Sequence, residues 1–323
     1  MINLAGSGLT TILFHRFFFE GESHHVAVDR LRRQCEWLAR RFTPVNLEAA
    51  LQCLAQNERL PRPLLITIDD AKIEILRVAG IFAEFGLPIT IFACVGWCAK
   101  ETPDEDSLLV RLVNDIEWYS GPIQSIDTKW GRLVVGADAE QTARSVDLIL
   151  ADGEQPEGEY QAVLSRLSRS GAARPQVSCS WSELADLKAG GAVIGGHSVS
   201  HVNLARASPL RLKFEVHETR RVLQSRLGPC DIFAYPYGMS GTFNDLTKQE
   251  LRCAGFRYAF LTHSEYPNSA TDRLELPRIS MPDRPMRHWE FCLRSQGAGV
   301  IYRKLKLAYG NDGHLHYPPA TQR

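Results

Sequence analysis

The chain has 323 residues, of which 44% are hydrophobic, so it is long enough for one large domain or two ordinary ones with a substantial core. This composition excludes a disordered or fibrous protein. Lys and Arg total 37, as do Asp and Glu, which gives a formal net charge of zero and argues against nucleic-acid binding through a basic face.

Membrane and secretion signals do not stand out in the sequence. No apolar run approaches the roughly 20 residues that a bilayer-spanning helix needs. The first residues lack a basic segment followed by a long apolar one. The eight cysteines are scattered instead of clustered as in a disulfide framework or a zinc ribbon. We therefore expect a cytoplasmic protein in a reducing compartment, without a transmembrane segment.

Strand and helix patterns alternate through most of the chain. Apolar runs predict strands at 11–15, 64–70 and 88–95, and apolar steps of three and four residues predict helices around 31–42 and 75–85. After residue 180, strands are predicted at 193–197, 231–235, 258–262 and 276–280, with helices at 181–189, 212–227 and 244–254. This alternation indicates a mostly parallel sheet, either doubly wound or a barrel, and we favour the barrel.

The block from about residue 100 to 178 interrupts this alternation. It has helical patterns at 106–119 and 157–168 but no clear buried strand. We therefore predict a helical insertion after the third strand, with Trp118 and Trp130 covering its core. A single barrel domain over residues 1–310 would contain this insertion, and the polar tail at 311–323 is predicted to be disordered.

Two adjacent carboxylates, Asp69 and Asp70, end a strongly apolar strand. In parallel α/β folds, active sites form at the carboxyl ends of the strands. One aspartate could cap the next helix while the other points to solvent. However, two neighbouring anions repel each other unless one is protonated or a cation lies between them, so a metal would resolve the conflict.

His197 and His201 follow another apolar strand and are four residues apart. If the chain turns helically there, both imidazoles lie on one face and can bind the same cation. An isolated H-x-x-x-H also occurs by chance, but at a second strand end beside an Asp pair it indicates a metal site. Two imidazoles and one carboxylate leave coordination positions open, as catalytic zinc or iron sites require.

The third candidate element is FAYPYG, at residues 233–238. It follows a strand, and Pro236 and Gly238 predict a tight turn. Such a turn can present a main-chain N–H to a developing oxyanion, although the same sequence also forms ordinary turns.

These elements together resemble the polysaccharide deacetylases, the NodB-homology family of carbohydrate esterases. The matching motifs are TIDD at 67–70, HSVSH at 197–201 and FAYPYG at 233–238, and the resemblance covers about residues 8–99 and 178–283. It implies a distorted (β/α)7 barrel that hydrolyses N- or O-acetyl groups on sugars. It also implies one divalent metal, with zinc expected first and cobalt, nickel, iron or manganese as alternatives.

The resemblance implies residue roles by motif position. Asp69 would be the general base, and the metal ligands would be Asp70, His197 and His201. The backbone N–H of Tyr237 would form part of the oxyanion hole.

The general-acid histidine of the family often comes from a late L-x-L-H motif, which has no good match in this sequence. In the branch that resembles the poly-N-acetylglucosamine deacetylases, a histidine on the first strand fills this role, and His15 has that position. Two alternatives stay open: His15 is a buried structural histidine, or His263, after a later strand, is the acid.

Three positions depart from the family pattern. Ala71 replaces the glycine that normally follows the Asp pair, and Lys72 stands where an aromatic or small residue is common. Ala234 replaces an arginine that orients the base in many relatives, and Arg278 from the last strand is the candidate to take over that role.

Three functions are compatible with these motifs and with the departures from the family pattern. The first is metal-dependent removal of N-acetyl groups from an acetamido sugar of a saccharide or saccharide precursor. The second applies the same chemistry to a non-sugar amide or a carbohydrate O-acetyl ester. The third, motivated by Ala71, Lys72 and Ala234, is a metal-binding or glycan-binding scaffold without turnover. The expected partner of the first is an acetylated saccharide, and no nucleic acid is expected.

Overall fold

A computed structural model describes residues 8–300 except 57–59, 99–107, 118, 120, 137, 152–155, 170–177 and 268–269. Its strands are β1 (Thr10–Phe14), β2 (Thr43–Pro44), β3 (Pro63–Ile68), β4 (Ile89–Ala93), β5 (Gln124–Thr128), β6 (Gly131–Val135), β7 (Val193–Gly196), β8 (Ile232–Ala234), β9 (Tyr258–Phe260) and β10 (Ile279–Ser280). Its helices are α1 (His24–Arg41), α2 (Leu47–Gln56), α3 (Ile75–Glu84), α4 (Val95–Cys98), α5 (Leu108–Glu117), α6 (Ala139–Leu150), α7 (Glu157–Arg169), α8 (Trp181–Ala189), α9 (Pro209–Leu227), α10 (Asp245–Ala254) and α11 (His288–Ser295).

Seven strands form one curled parallel sheet in the order β10-β1-β3-β4-β7-β8-β9, and β2 adds to β3. Every residue of β1, β3 and β4 is buried, because one face of each strand packs inside the curl and the other packs against helices. The predicted distorted (β/α)7 barrel is confirmed.

The segment before β10 closes the curl. Leu276 forms a parallel bridge with Phe260 of β9, and the backbone N–H of Leu261 donates to the Leu276 carbonyl at 2.8 Å. Three residues later the same segment becomes β10, which pairs with β1. The two outer strands of the sheet are thus joined through one short stretch of chain.

The insertion after β4 contains α5, α6 and α7, as predicted in part, and also an antiparallel hairpin of β5 and β6. The hairpin itself was not predicted. Neither strand is fully buried, since β5 buries only Ile126 and β6 only Leu133 and Val135, so the apolar signal is weak. Trp130 packs against the insertion core and stacks on Tyr160, whereas Trp118 lies outside the described residues.

Helices α2, α6 and α11 were not predicted. The buried side of α6 includes the polar residues Thr142 and Ser145, and α11 buries only Phe291 and Ser295, so neither has a clear apolar stripe. The tail at 311–323 lies outside the described part of the chain. Within that part, no helix is long and apolar enough to span a bilayer.

Candidate metal and hydrolytic site

The side chains singled out in the sequence meet at the carboxyl edge of the barrel. His15 directly follows β1, Asp69 and Asp70 follow β3, and His197 follows β7. Parallel strands all present their carboxyl ends at one edge, so residues distant in sequence become neighbours there.

Asp70, His197 and His201 form a compact cluster of potential metal ligands. One ligand atom from each lies within 4.8 Å of the others. The Asp70 Oδ1 atom is 3.5 Å from His197 Nε2 and 3.7 Å from His201 Nε2. This oxygen is buried and has no hydrogen-bond partner among the described residues. A buried, unsatisfied carboxylate oxygen facing two imidazole nitrogens fits a cation, and two N donors with one O donor suit zinc.

The protonation of the two imidazoles is set by their surroundings. His197 Nδ1 lies 2.8 Å from the Ala234 carbonyl oxygen. Because a carbonyl can only accept a hydrogen bond, the ring proton is on Nδ1, and the lone pair of Nε2 faces Asp70. Burial opposes the charged form of His197, but the Asp69 and Asp70 carboxylates raise its pKa overall. Burial, followed by the charge of His197, lowers the pKa of His201 to about 4, so this ring keeps a lone pair near neutral pH.

The segment between the two histidines is a loop, so the helical turn that would place residues i and i+4 on one face is absent. Ser198 and His201 have φ angles of 66° and 61°, in the left-handed region. The Ser198 hydroxyl accepts the backbone N–H of His201 at 2.9 Å. Two left-handed residues fold the loop back on itself, and the imidazole centroids lie 4.9 Å apart.

A buried carboxylate on α9 holds this loop, and the sequence reasoning missed it. Glu215 accepts the backbone N–H groups of Val199 and Ser200 at 2.8 and 3.1 Å and the Ser200 hydroxyl at 2.7 Å. The Arg211 guanidinium pairs with Glu215 at 2.7 Å, which neutralises it in the core. The only available signal was a Glu and an Arg four residues apart on a buried helix.

Asp69 is clamped by Arg278. The guanidinium donates to both carboxylate oxygens of Asp69 at 2.7 and 2.8 Å, and to the Leu261 carbonyl at 2.7 Å. Both side chains are fully buried. Although burial alone would raise it, the charges and hydrogen bonds around Asp69, from Arg278 first, hold its pKa below the ordinary value. Arg278 therefore occupies the place expected of a residue that orients Asp69.

His15 lies beside Asp69, at the same distance from the Oδ2 atom as His197 Nε2, which is also 3.9 Å away. Its Nε2 is 3.9 Å from Asp69 Oδ2, and its Nδ1 is 4.0 Å from Asp283 Oδ1. The His15 side chain is 27% exposed, so it reaches solvent at the site. Asp283 was not predicted, because it follows the short last strand without a motif of its own. His263 is half exposed and lies 3.8 Å from Glu265.

Aromatic rings border His201. The Trp97 ring stacks on it with a centroid distance of 5.5 Å, and the Tyr237 ring meets it edge-on at 4.8 Å. Tyr237 has a φ of 62° and is 45% exposed, and Gly238 follows with a φ of 59°. A Cβ on Gly238 would lie 2.7 Å from the Thr262 nitrogen, so the turn requires glycine there.

Backbone strain concentrates at this edge of the barrel. Six non-glycine residues in the described part have a positive φ, and five of them belong to the site: Asp70, Ala71, Ser198, His201 and Tyr237. Each such residue costs about 1–3 kcal/mol unless the surrounding structure fixes it. Clustering of this kind is typical of functional sites.

Comparison with known proteins gives one match to a protein family and several similar folds. Residues 138–259 match the family model of the polysaccharide deacetylases. This segment contains His197, His201 and the turn at 233–238, whereas Asp69 and Asp70 precede it. No curated protein matches the sequence.

Three solved structures have the same fold. The deacetylase PplD of Streptococcus pyogenes, in complex with acetate, has a TM-score of 0.58 at 16% identity, over 90% of this chain and 98% of that one. IcaB of Ammonifex degensii has a TM-score of 0.56 at 18% identity, with the same coverage. The BpsB deacetylase domain of Bordetella bronchiseptica has a TM-score of 0.53 at 13% identity, over 85% of this chain and 96% of that one. The family-model match over residues 138–259 and the shared fold confirm the predicted resemblance to the polysaccharide deacetylases.

Proposed function

We propose that this protein is a metal-dependent hydrolase that removes N-acetyl groups from an acetamido sugar of a saccharide or saccharide precursor. The observation that carries the proposal is the convergence of Asp70, His197 and His201, with ligand atoms within 4.8 Å of one another, beside a separately held carboxylate. The match to the polysaccharide deacetylase family over residues 138–259, and a fold shared with a deacetylase solved in complex with acetate, support the same chemistry.

Asp70, His197 and His201 would hold one divalent cation, with zinc as the best fit to two nitrogens and one oxygen. When bound, such a cation polarises an acyl carbonyl and acidifies water. The arrangement leaves the remaining coordination positions for water and substrate, because this chain contributes three ligands to the cluster.

Asp69 and His15 divide the proton transfers in this proposal. Asp69 remains a carboxylate at neutral pH because Arg278 holds its pKa low, so it can accept a proton from the attacking water. His15 lies 3.9 Å from the same carboxylate and can donate a proton to the leaving amine. The backbone N–H of Tyr237, in its left-handed turn, would stabilise the oxyanion.

Acetate release tests the proposed reaction. The zinc-loaded protein should release acetate from oligomers of N-acetylglucosamine, and the same protein treated with a chelator should not. An O-acetylated sugar and a non-sugar acetamide, assayed in parallel, separate the substrate classes. Zinc bound at one per chain without acetate release from any of the three substrates would contradict the proposal and favour a metal-binding scaffold.

Replacing His15 with alanine should affect amide substrates far more than activated esters. An amine leaves poorly unless it is protonated, whereas an activated phenol leaves readily without an acid. We expect amide cleavage to fall by about 10²–10⁴-fold, with bound zinc unchanged and aryl-ester hydrolysis reduced much less.

The matched control is His263→Ala, since His263 is the other histidine at a strand's carboxyl end. It should leave both activities near those of the unmodified protein. If His263→Ala instead shows the selective loss and His15→Ala does not, His263 is the acid and His15 is structural.

A further inference from the structure

We propose that Lys72 is a positioning residue that restricts Asp70 to one ligand oxygen and weakens metal binding at the site. The Lys72 Nζ atom lies 3.0 Å from Asp70 Oδ2, the oxygen opposite the one that faces the two histidines. The Lys72 ammonium therefore already pairs with one of the two oxygens of the Asp70 carboxylate. This inference rests on the metal site of the proposed function and concerns how tightly that site binds its metal.

The fold fixes the backbone that carries Lys72. Lys72 forms an antiparallel bridge with Ser178, and the Cys179 N–H donates to the Ala71 carbonyl at 2.8 Å. The Cys179 thiol lies 3.7 Å from the Lys72 carbonyl. The chain that returns from the insertion to α8 therefore holds residues 71–72 against the site.

The ammonium acts on Asp70 in two ways. Its hydrogen bond to Oδ2 leaves Oδ1 as the oxygen available to a cation beside His197 and His201. Its charge repels a dication at the same carboxylate, and this repulsion persists because Asp70 is only 9% exposed and poorly screened. Asp70 is already fixed by burial and by its left-handed backbone, so orienting its carboxylate adds little to metal binding. We therefore expect the repulsion to dominate and the net effect of Lys72 to be weaker binding.

The Lys72 side chain is 30% exposed, so a substitution there does not create a cavity in the core. Lys72→Met keeps the approximate length and apolar stem of the side chain and removes both the charge and the hydrogen bond to Asp70. Lys72→Arg keeps the charge, and Lys213→Met removes one charge from an exposed position on α9, which controls for net charge.

The test is a competition titration of metal-free protein with Zn²⁺ against a chromophoric chelator. We expect the Zn²⁺ Kd of Lys72→Met to be at least tenfold lower than that of the unmodified protein. Lys72→Arg and Lys213→Met should stay within about threefold of it. Lys72→Gln serves as a second neutral variant if Lys72→Met does not fold.

The outcomes separate this inference from the proposed function. Equal or weaker zinc binding by the neutral variants, with measurable binding by the unmodified protein, overturns the role of Lys72 and leaves the metal site standing. Zinc binding that appears only in the neutral variants supports the role of Lys72. Absence of zinc binding in both overturns the role of Lys72 and the proposed metal site together.

Discussion

Replacing His197 or His201 with alanine is expected to abolish metal binding and hydrolysis together. Each imidazole faces the same Asp70 oxygen, at 3.5 and 3.7 Å, and its loss leaves two protein ligands. Loss of an outer-shell partner typically costs about 10–100-fold in metal affinity or activity, and loss of a direct ligand should exceed that. Metal content after dialysis, together with acetate release, measures both effects.

His25→Ala is the matched control for these variants. His25 is 84% exposed on α1, with its Nε2 3.2 Å from Asp29 Oδ2, so its loss removes an imidazole without touching the site. It should retain full metal content and activity. If both His197→Ala and His201→Ala retain one metal per chain, the three residues are not the ligands.

The ends of the buried strands could be predicted from the sequence, because the change from apolar to polar residues that marks them lies within a few neighbouring residues. A strand buried on both faces is almost wholly apolar, so polar residues that end it, such as Asp69 and His197, stand out. The parallel alternation then brings those ends to one edge without knowledge of any contact. Pattern and topology therefore predicted the aspartate pair and the histidine pair, whereas the roles of His15, Tyr237 and Arg278 came from the family resemblance.

The shape of the histidine loop could not be predicted in the same way. The H-x-x-x-H spacing suits a helix, but the loop takes its form from left-handed Ser198 and His201 and from the Glu215 carboxylate, which is 14 residues beyond His201. Residues other than glycine adopt such angles only when other contacts hold them. Those contacts come from α9 and exist only after the tertiary fold has formed.

Ala71 shows how the structure tolerates a departure from the family motif. It has a φ of 48° where glycine would be unstrained, and it is fully buried. The Cys179 N–H binds its carbonyl at 2.8 Å. Strain of about 1–3 kcal/mol is therefore offset by contacts with the segment that leads into α8.

Replacing Asp69 with asparagine is expected to lower turnover by about 10²–10⁴-fold while the metal remains bound, because an amide cannot accept the proton that a general base must take. The metal ligands are unchanged in this variant. Metal content, acetate release and the thermal unfolding midpoint are the measurements. Turnover within a few-fold of the unmodified protein would show that another group is the base.

This substitution also disturbs a buried ion pair. Arg278 is fully buried against Asp69, and breaking such a pair from one side costs about 3–5 kcal/mol of stability. An asparagine can still accept one of the two guanidinium hydrogen bonds, so the loss should lie below that range. Assays must therefore run well below the unfolding midpoint of the variant.

Arg278→Gln distinguishes a lost base from a lost ion pair. It breaks the same pair but leaves the Asp69 carboxylate, so turnover should fall less than in Asp69→Asn. Arg278 holds the pKa of Asp69 below its ordinary value, so removing the guanidinium raises that pKa. The acid limb of the kcat/KM profile, where Asp69 becomes protonated, should then move to higher pH in Arg278→Gln and disappear in Asp69→Asn. If both variants lose activity equally and neither changes the acid limb, Asp69 acts through structure and not as the base.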